Sequence, residues 1–72
     1  MSKRLRFEVS HLPHPDPNHI GSRLHLFAKL TKYEANEMVF EMREGANVEV
    51  VKDMVSTYTQ SRNAKVTNIV EE

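Results

Sequence analysis

Three prolines occupy alternate positions in one short segment, at Pro13, Pro15 and Pro17. Each proline fixes its own φ and pushes the preceding residue towards extended geometry, which excludes a helix over residues 11–18. The four histidines of the chain lie in or near this segment: His11, His14, His19 and His25. The segment therefore predicts a stiff loop, and its imidazoles are the first candidates for a functional site.

The composition limits the fold and the kinds of function that are open. A chain of 72 residues predicts a single domain, residues 1–72, with one small core. The absence of cysteine excludes disulfides and thiolate metal sites. No apolar run resembles a membrane span or a signal peptide, so we expect a cytoplasmic protein that makes no membrane contact. The formal net charge is zero, which makes nucleic acid an unlikely general partner, although cations are concentrated in the first half of the chain.

Apolar residues alternate in two segments. Leu5, Phe7 and Val9 predict a first strand, and Met38 and Phe40 predict another. After it, residues 43–45 predict a tight hairpin turn, with a short return strand at Val48 and Val50. Val51, Met54, Val55 and Tyr58 follow the i, i+3, i+4, i+7 spacing of a helix over residues 51–61, and residues 64–70 predict a closing strand.

Residues 19–33 fit two patterns. Ile20, Leu24 and Phe27 form a stripe at helical spacing, whereas Leu24 and Leu30 also belong to an alternating strand pattern. The length of the segment and an N-cap at Asn18 favour the helix, with the strand kept as the alternative. The predicted fold is α+β, in the order β-α-β-β-α-β, with helices on one face of a four-stranded antiparallel sheet. Its predicted core is Leu5, Phe7, Val9, Met38, Phe40 and Val66 from the sheet, with Leu24, Phe27, Val51 and Met54 from the helices.

With this element order, the chain resembles the histidine-containing phosphocarrier (HPr) family of the bacterial sugar phosphotransferase system. His19 begins the predicted first helix, and Lys32-Tyr33 follows at the family's spacing. The segments 37–41 and 51–55 are similar to the family's second strand and second helix. The resemblance implies an HPr-like open-faced sandwich that acts in sugar transport and its regulation, as a phosphoryl carrier rather than a true enzyme, without a cofactor.

The resemblance also assigns roles to individual residues. His19 is expected to form the phosphohistidine and Arg23 to be its charge partner, because Gly21 stands where the family has an arginine. Asp53 lies at the position of a regulatory serine, and Met54 and Phe27 lie on the face that docks phosphotransferase-system proteins. The physical basis for His19 is the helix N-terminus, whose unpaired backbone N–H groups stabilise a phosphoryl dianion.

Other interpretations remain open at this stage. His19 and Arg23 can equally be a surface residue at a helix cap and a solvated charge. A zinc site from His11, His14, His19 and Asp16 is disfavoured, since the prolines do not bring His11 and His14 together. The alternative to a phosphocarrier is a small α+β protein-interaction module without phosphotransfer. Self-association as a homodimer is also expected, through an apolar sheet face left uncovered or through an unpaired edge strand.

Overall fold

A computed structural model describes residues 3–19 and 21–72 of the chain. Its regular elements are strand β1 (Arg4–Val9), a 3₁₀ helix (Arg23–Leu26), strand β2 (Ala28–Glu34), strand β3 (Glu37–Met42), helix α1 (Val48–Ser61) and strand β4 (Val66–Glu71). The four strands form one sheet in the order β2-β3-β1-β4, and every pair is antiparallel. The α+β class and the four-stranded antiparallel sheet are therefore confirmed.

The core lies between one face of this sheet and helix α1. Phe7 of β1 and Phe40 of β3 are fully buried, and their rings meet edge to face with centroids 5.6 Å apart. The buried cluster consists of Leu5, Phe7, Val9, Leu24, Ala28, Met38, Phe40, Met42, Val51 and Val55. Phe27, Met54 and Val66 are partly buried against it, so the core predicted from the sequence is confirmed.

The helix predicted over residues 19–33 is wrong, and with it the order β-α-β-β-α-β. Residues 28–34 form strand β2, so the observed order is β-β-β-α-β. The register of β2 shifts between Leu30 and Lys32, and this irregularity places both Leu30 and Tyr33 opposite core residues of β3. Because of this bulge, the inward-facing Leu30 and Tyr33 are three residues apart instead of two. In the sequence, such a spacing of apolar residues resembles that of a helix. Ile20, part of the proposed helical stripe, lies outside the described residues.

A two-residue turn joins β2 to β3. Ala35 and Asn36 both have positive φ, 54° and 57°, as a type I′ hairpin turn requires. Asparagine tolerates this region better than most residues, which suits Asn36 to the second position of the turn.

Helix α1 begins three residues earlier than the sequence pattern indicates. The side chain of Asn47 accepts hydrogen bonds from the backbone N–H groups of Glu49 and Val50, at 2.8 and 3.4 Å. This N-cap makes Val48 the first helical residue, so the return strand predicted at Val48 and Val50 is wrong. None of the helices in residues 3–19 and 21–72 has the length and apolar character needed to span a bilayer.

The face of the sheet opposite α1 is covered with charged side chains. Arg6 and Lys32 both form ion pairs with Glu37, at 3.4 and 2.9 Å, and this face also carries exposed Arg4 and Lys29. The outward positions of the strands alternate with the core positions and mostly hold ionic residues, together with Val39 and Val70. The expected homodimer stays a prediction.

An ion-pair cluster ties α1 to β4. The carboxylate of Glu71 lies 2.7 Å from Lys52 Nζ and 2.9 Å from Lys3 Nζ. The hydrogen bond from Lys52, and then that from Lys3, lowers the pKa of Glu71 from 4.5 to about 2. The carboxylate therefore stabilises the folded state at neutral pH, and this contribution disappears as the pH falls from 4.5 to about 2.

We expect Glu71→Gln to reduce stability at neutral pH, and the difference from the wild type to shrink as the pH falls through this window. Urea unfolding followed by circular dichroism at a series of pH values measures both stabilities. A difference that is the same at neutral pH and near pH 2 would contradict the assigned ion pairs.

Candidate functional site

The proline segment is held against the fold by the side chain of Asn18. Its amide nitrogen donates to the carbonyl of Ala28 at 3.0 Å, and its amide oxygen accepts from the N–H of Leu30 at 3.2 Å. Both groups lie on the outer edge of β2, the edge strand of the sheet. The Asn18 side chain thus forms hydrogen bonds with the backbone of β2 as a neighbouring strand would, and it shields this part of the edge.

Two tyrosines hold the backbone of the loop. The Tyr33 hydroxyl donates to the carbonyl of Pro13, and the Tyr58 hydroxyl donates to that of Pro15 at 2.6 Å. Burial raises the pKa of Tyr33, and the negative charge of Asp16 raises it further, which keeps the hydroxyl protonated as a donor. The loop is therefore stiff, as the prolines predict, and the tertiary contacts that fix it come from β2 and α1.

His19 lies next to Tyr58, with ring centroids 5.9 Å apart. Its Nδ1 accepts a hydrogen bond from the backbone N–H of Gly21 at 3.1 Å. In the neutral ring this contact places the proton on Nε2 and occupies the free lone pair of the imidazole. The residues that follow form a 3₁₀ helix only from Arg23 onwards, so the α-helix N-terminus expected at His19 is not there.

Gly21 lies close to the ring of His19. A Cβ at this position would lie 3.0 Å from His19 Cε1 and 3.2 Å from Nδ1. An arginine at position 21, as the HPr family has, would therefore require the imidazole to shift by a few tenths of an ångström. Glycine allows the backbone N–H to approach the ring without this shift.

The structure corrects the surroundings expected for Arg23 and Asp53. Arg23 is exposed and begins the 3₁₀ helix, so it does not share an α-helical face with His19 at a spacing of four residues. Asp53 is the sixth residue of α1 instead of lying in its first turn, where the acidic residue is Glu49. Because the helix dipole acts mainly in the first turn, it favours Glu49 and not Asp53.

A groove runs between α1 and the segment from Pro17 to Leu24. It has a volume of about 370 Å³ and is lined by Pro17, Ser22, Leu24, Asp53, Met54, Thr57, Tyr58 and Ser61. The lining is mainly apolar, from a proline, a leucine, a methionine and a tyrosine ring, with hydroxyl groups and one carboxylate around it. Asp53 and Met54 both line the groove, whereas Phe27, expected beside Met54 on a docking face, is absent from the lining and packs on the core.

None of the four histidines is among the residues that line this groove. His14 packs on Tyr33 with ring centroids 5.6 Å apart, and His11 is exposed beside Ser10. In residues 3–19 and 21–72, no three histidine, aspartate or glutamate side chains converge as metal ligands do. His11, His14, His19 and Asp16 therefore remain separate side chains.

Sequence reasoning missed the residues that build this site, Asn18, Tyr33 and Tyr58. Asn18 was interpreted as a helix N-cap, and Tyr58 was noted only as part of a helical stripe. The hydroxyl of a buried tyrosine usually finds a hydrogen-bond partner. Prolines have a backbone carbonyl but no N–H, so a proline loop offers acceptors for such hydroxyls. Tyrosines together with a proline loop were therefore the available signal in the sequence. Comparisons with family models, curated proteins and solved structures found no match to this chain.

Proposed function

We propose that this protein is a small interaction module that docks a peptide segment of a partner protein in the groove between α1 and the segment from Pro17 to Leu24. The groove itself carries the proposal, since it combines an apolar floor with convergent polar groups, as binding sites do. The loop that forms one wall is fixed by Tyr58 and Asn18, so the groove is formed before a partner binds. Preorganisation of this kind lowers the entropic cost of binding.

The lining indicates the chemistry of the segment that fits. Leu24, Met54 and Pro17 suit an apolar side chain, and Met54 adapts to different shapes because its side chain is unbranched and polarisable. Asp53 has no ion-pair partner in the described part of the chain, so its carboxylate is available at the rim. We infer a partner segment with an apolar anchor followed or preceded by a lysine or arginine.

Selection of phage-displayed random peptides on the immobilised protein tests this proposal. Peptides that bind should share an apolar and a basic residue, and Thr57→Arg should weaken their binding about tenfold or more by filling the groove. Thr57 is exposed, so this change leaves the core intact. Gln60→Arg, on the same helix but outside the groove, is the matched control and should bind as the wild type does. Peptides that bind both variants equally well would contradict the proposal.

Phosphoryl acceptance on His19 stays a prediction of the HPr resemblance. The half-buried ring beside Tyr58 is its structural setting, and the bond from Gly21 to Nδ1 would have to open for that nitrogen to react. Mass spectrometry after incubation with phosphoenolpyruvate and the first enzyme of the phosphotransferase system checks it. An acid-labile phosphate that is lost in His19→Ala and kept in His14→Ala would make phosphotransfer the better description.

A further inference from the structure

The apolar surface of the groove extends beyond its lining. Leu26 and Val50 are the large apolar side chains that the described residues leave most exposed, at 60% and 41%. Val50 lies one helical turn before Met54 and so on the same stripe of α1, which extends the exposed apolar surface of the helix beyond the groove lining. Leu26 is exposed at the end of the 3₁₀ helix.

The charges along this stripe of α1 are arranged with opposite signs at its two ends. Asp53 lies in the amino-terminal half of α1, and Arg62 follows the carboxyl end, with its guanidinium 5.0 Å from the Tyr58 ring centroid. Glu49, in the first turn, pairs with Lys52 at 3.3 Å instead of facing the groove. Neither Asp53 nor Arg62 has an ion-pair partner in residues 3–19 and 21–72. By contrast, Lys52 and Glu71 already pair with each other on the opposite flank of the helix.

We propose that a second copy of this chain occupies the groove, with the two α1 helices antiparallel about a two-fold axis. In this arrangement the acidic end of each stripe faces Arg62 of the other copy, whereas a parallel arrangement would bring like charges together. A two-fold interface uses the same patch on both copies, so each favourable charge contact occurs twice. The inference rests on the proposed function, because it names the partner that the docking groove receives.

The face of the sheet opposite α1 is a poorer surface for contact between two copies. On this face Arg6 and Lys32 already pair with Glu37, and burying these three charges together with Arg4 and Lys29 would carry a large desolvation cost. The outer edge of β2 is partly occupied by Asn18, and β4 carries a register irregularity opposite Glu8 and Val9 that disturbs further pairing. Among these surfaces, the groove combines unpaired charges of both signs with exposed apolar area.

Sedimentation velocity on the full chain, from micromolar to millimolar concentration, tests the inference through charge reversal. The wild type should dimerise with rising concentration, and Asp53→Arg or Arg62→Asp should each weaken dimerisation by about a hundredfold, because repulsion replaces attraction at two places. The double variant Asp53→Arg/Arg62→Asp should return to within about threefold of the wild type. Lys65→Glu, at the start of β4 and away from the groove, is the control and should leave the dimer unchanged.

Three outcomes would overturn the proposed dimer: a monomer at all concentrations, a double variant no better than the single ones, or an equal loss with Lys65→Glu. Circular dichroism of each variant separates loss of association from loss of fold. A monomer that still binds selected peptides in a Thr57-dependent way would refute the second copy and retain the docking function. A monomer that binds no peptide would refute both.

Discussion

Replacing Phe40 with alanine is expected to abolish cooperative folding. Its ring is fully buried, packs edge to face on Phe7 and lies opposite Leu5 and Leu30 in the neighbouring strands. Truncation of a buried phenylalanine costs about 3 to 5 kcal/mol, and a core of this size supplies roughly 3 to 5 kcal/mol of net stability. The loss is therefore as large as the stability itself.

Urea unfolding monitored by circular dichroism measures the loss of stability, and the dispersion of amide signals in NMR spectra shows whether the variant is folded. Phe40→Leu keeps most of the side-chain volume and should lose only about 1 to 2 kcal/mol. Leu26→Ala provides the matched comparison, because Leu26 is 60% exposed and its truncation should change stability by less than about 0.5 kcal/mol. A folded Phe40→Ala variant with a transition close to that of the wild type would contradict the central place given to this ring.

The second large effect is expected on replacing Asn18, which detaches the proline loop from β2 and leaves the hydrophobic core in place. Asn18→Ala removes two hydrogen bonds to the edge of β2 and leaves the carbonyl of Ala28 and the N–H of Leu30 without their protein partner. Because Ala28 is fully buried and Leu30 half-buried, groups left without a partner there cost about 1 to 3 kcal/mol of stability. The same change frees the wall of the groove.

Amide hydrogen exchange at Leu30 reports this contact directly. Exchange should accelerate in Asn18→Ala, while Asn18→Asp keeps an acceptor for this N–H and should protect it partly. His11→Ala, an exposed change in the same loop, should leave the exchange as it is in the wild type. If Leu30 is equally protected in all four proteins, Asn18 does not hold the loop to β2.

The elements that the sequence predicts well are those in which local pattern and tertiary contact agree. Leu5, Phe7 and Val9 alternate without interruption in β1, and Val51 and Val55 are buried at helical spacing in α1. Both patterns come from side chains that face one continuous core. Their positions follow from the spacing of apolar residues alone.

Residues 19–33 could not be predicted in this way, because the information lies in distant residues. The strand conformation of β2 depends on pairing with β3 through the turn at Ala35 and Asn36, and on the amide of Asn18 at its outer edge. Its bulge also removes the alternation by which strands are recognised. Considered by itself, the segment therefore favours the helix, with the strand as the alternative.

The candidate site was predicted in part. Asp53 and Met54 do line one groove, yet they do so because α1 begins at Val48 and presents them towards the proline loop. His19 lies beside the same groove through Tyr58, a contact between residues 39 positions apart that local spacing cannot reveal. The helix that the HPr resemblance implied before β3 is absent from the structure.

The place of β1 in the sheet has a consequence for the order in which the chain folds. The hairpin of β2 and β3 closes a turn of two residues, whereas β1 pairs with β4 through contacts such as that of Leu5 with Glu71, nearly the whole chain apart. Closing the longer loop costs more entropy, so the hairpin forms readily and the attachment of β4 comes late. Until β4 docks, one side of the β1 backbone is unpaired, so a strand that lies inside the finished sheet is a temporary edge during folding.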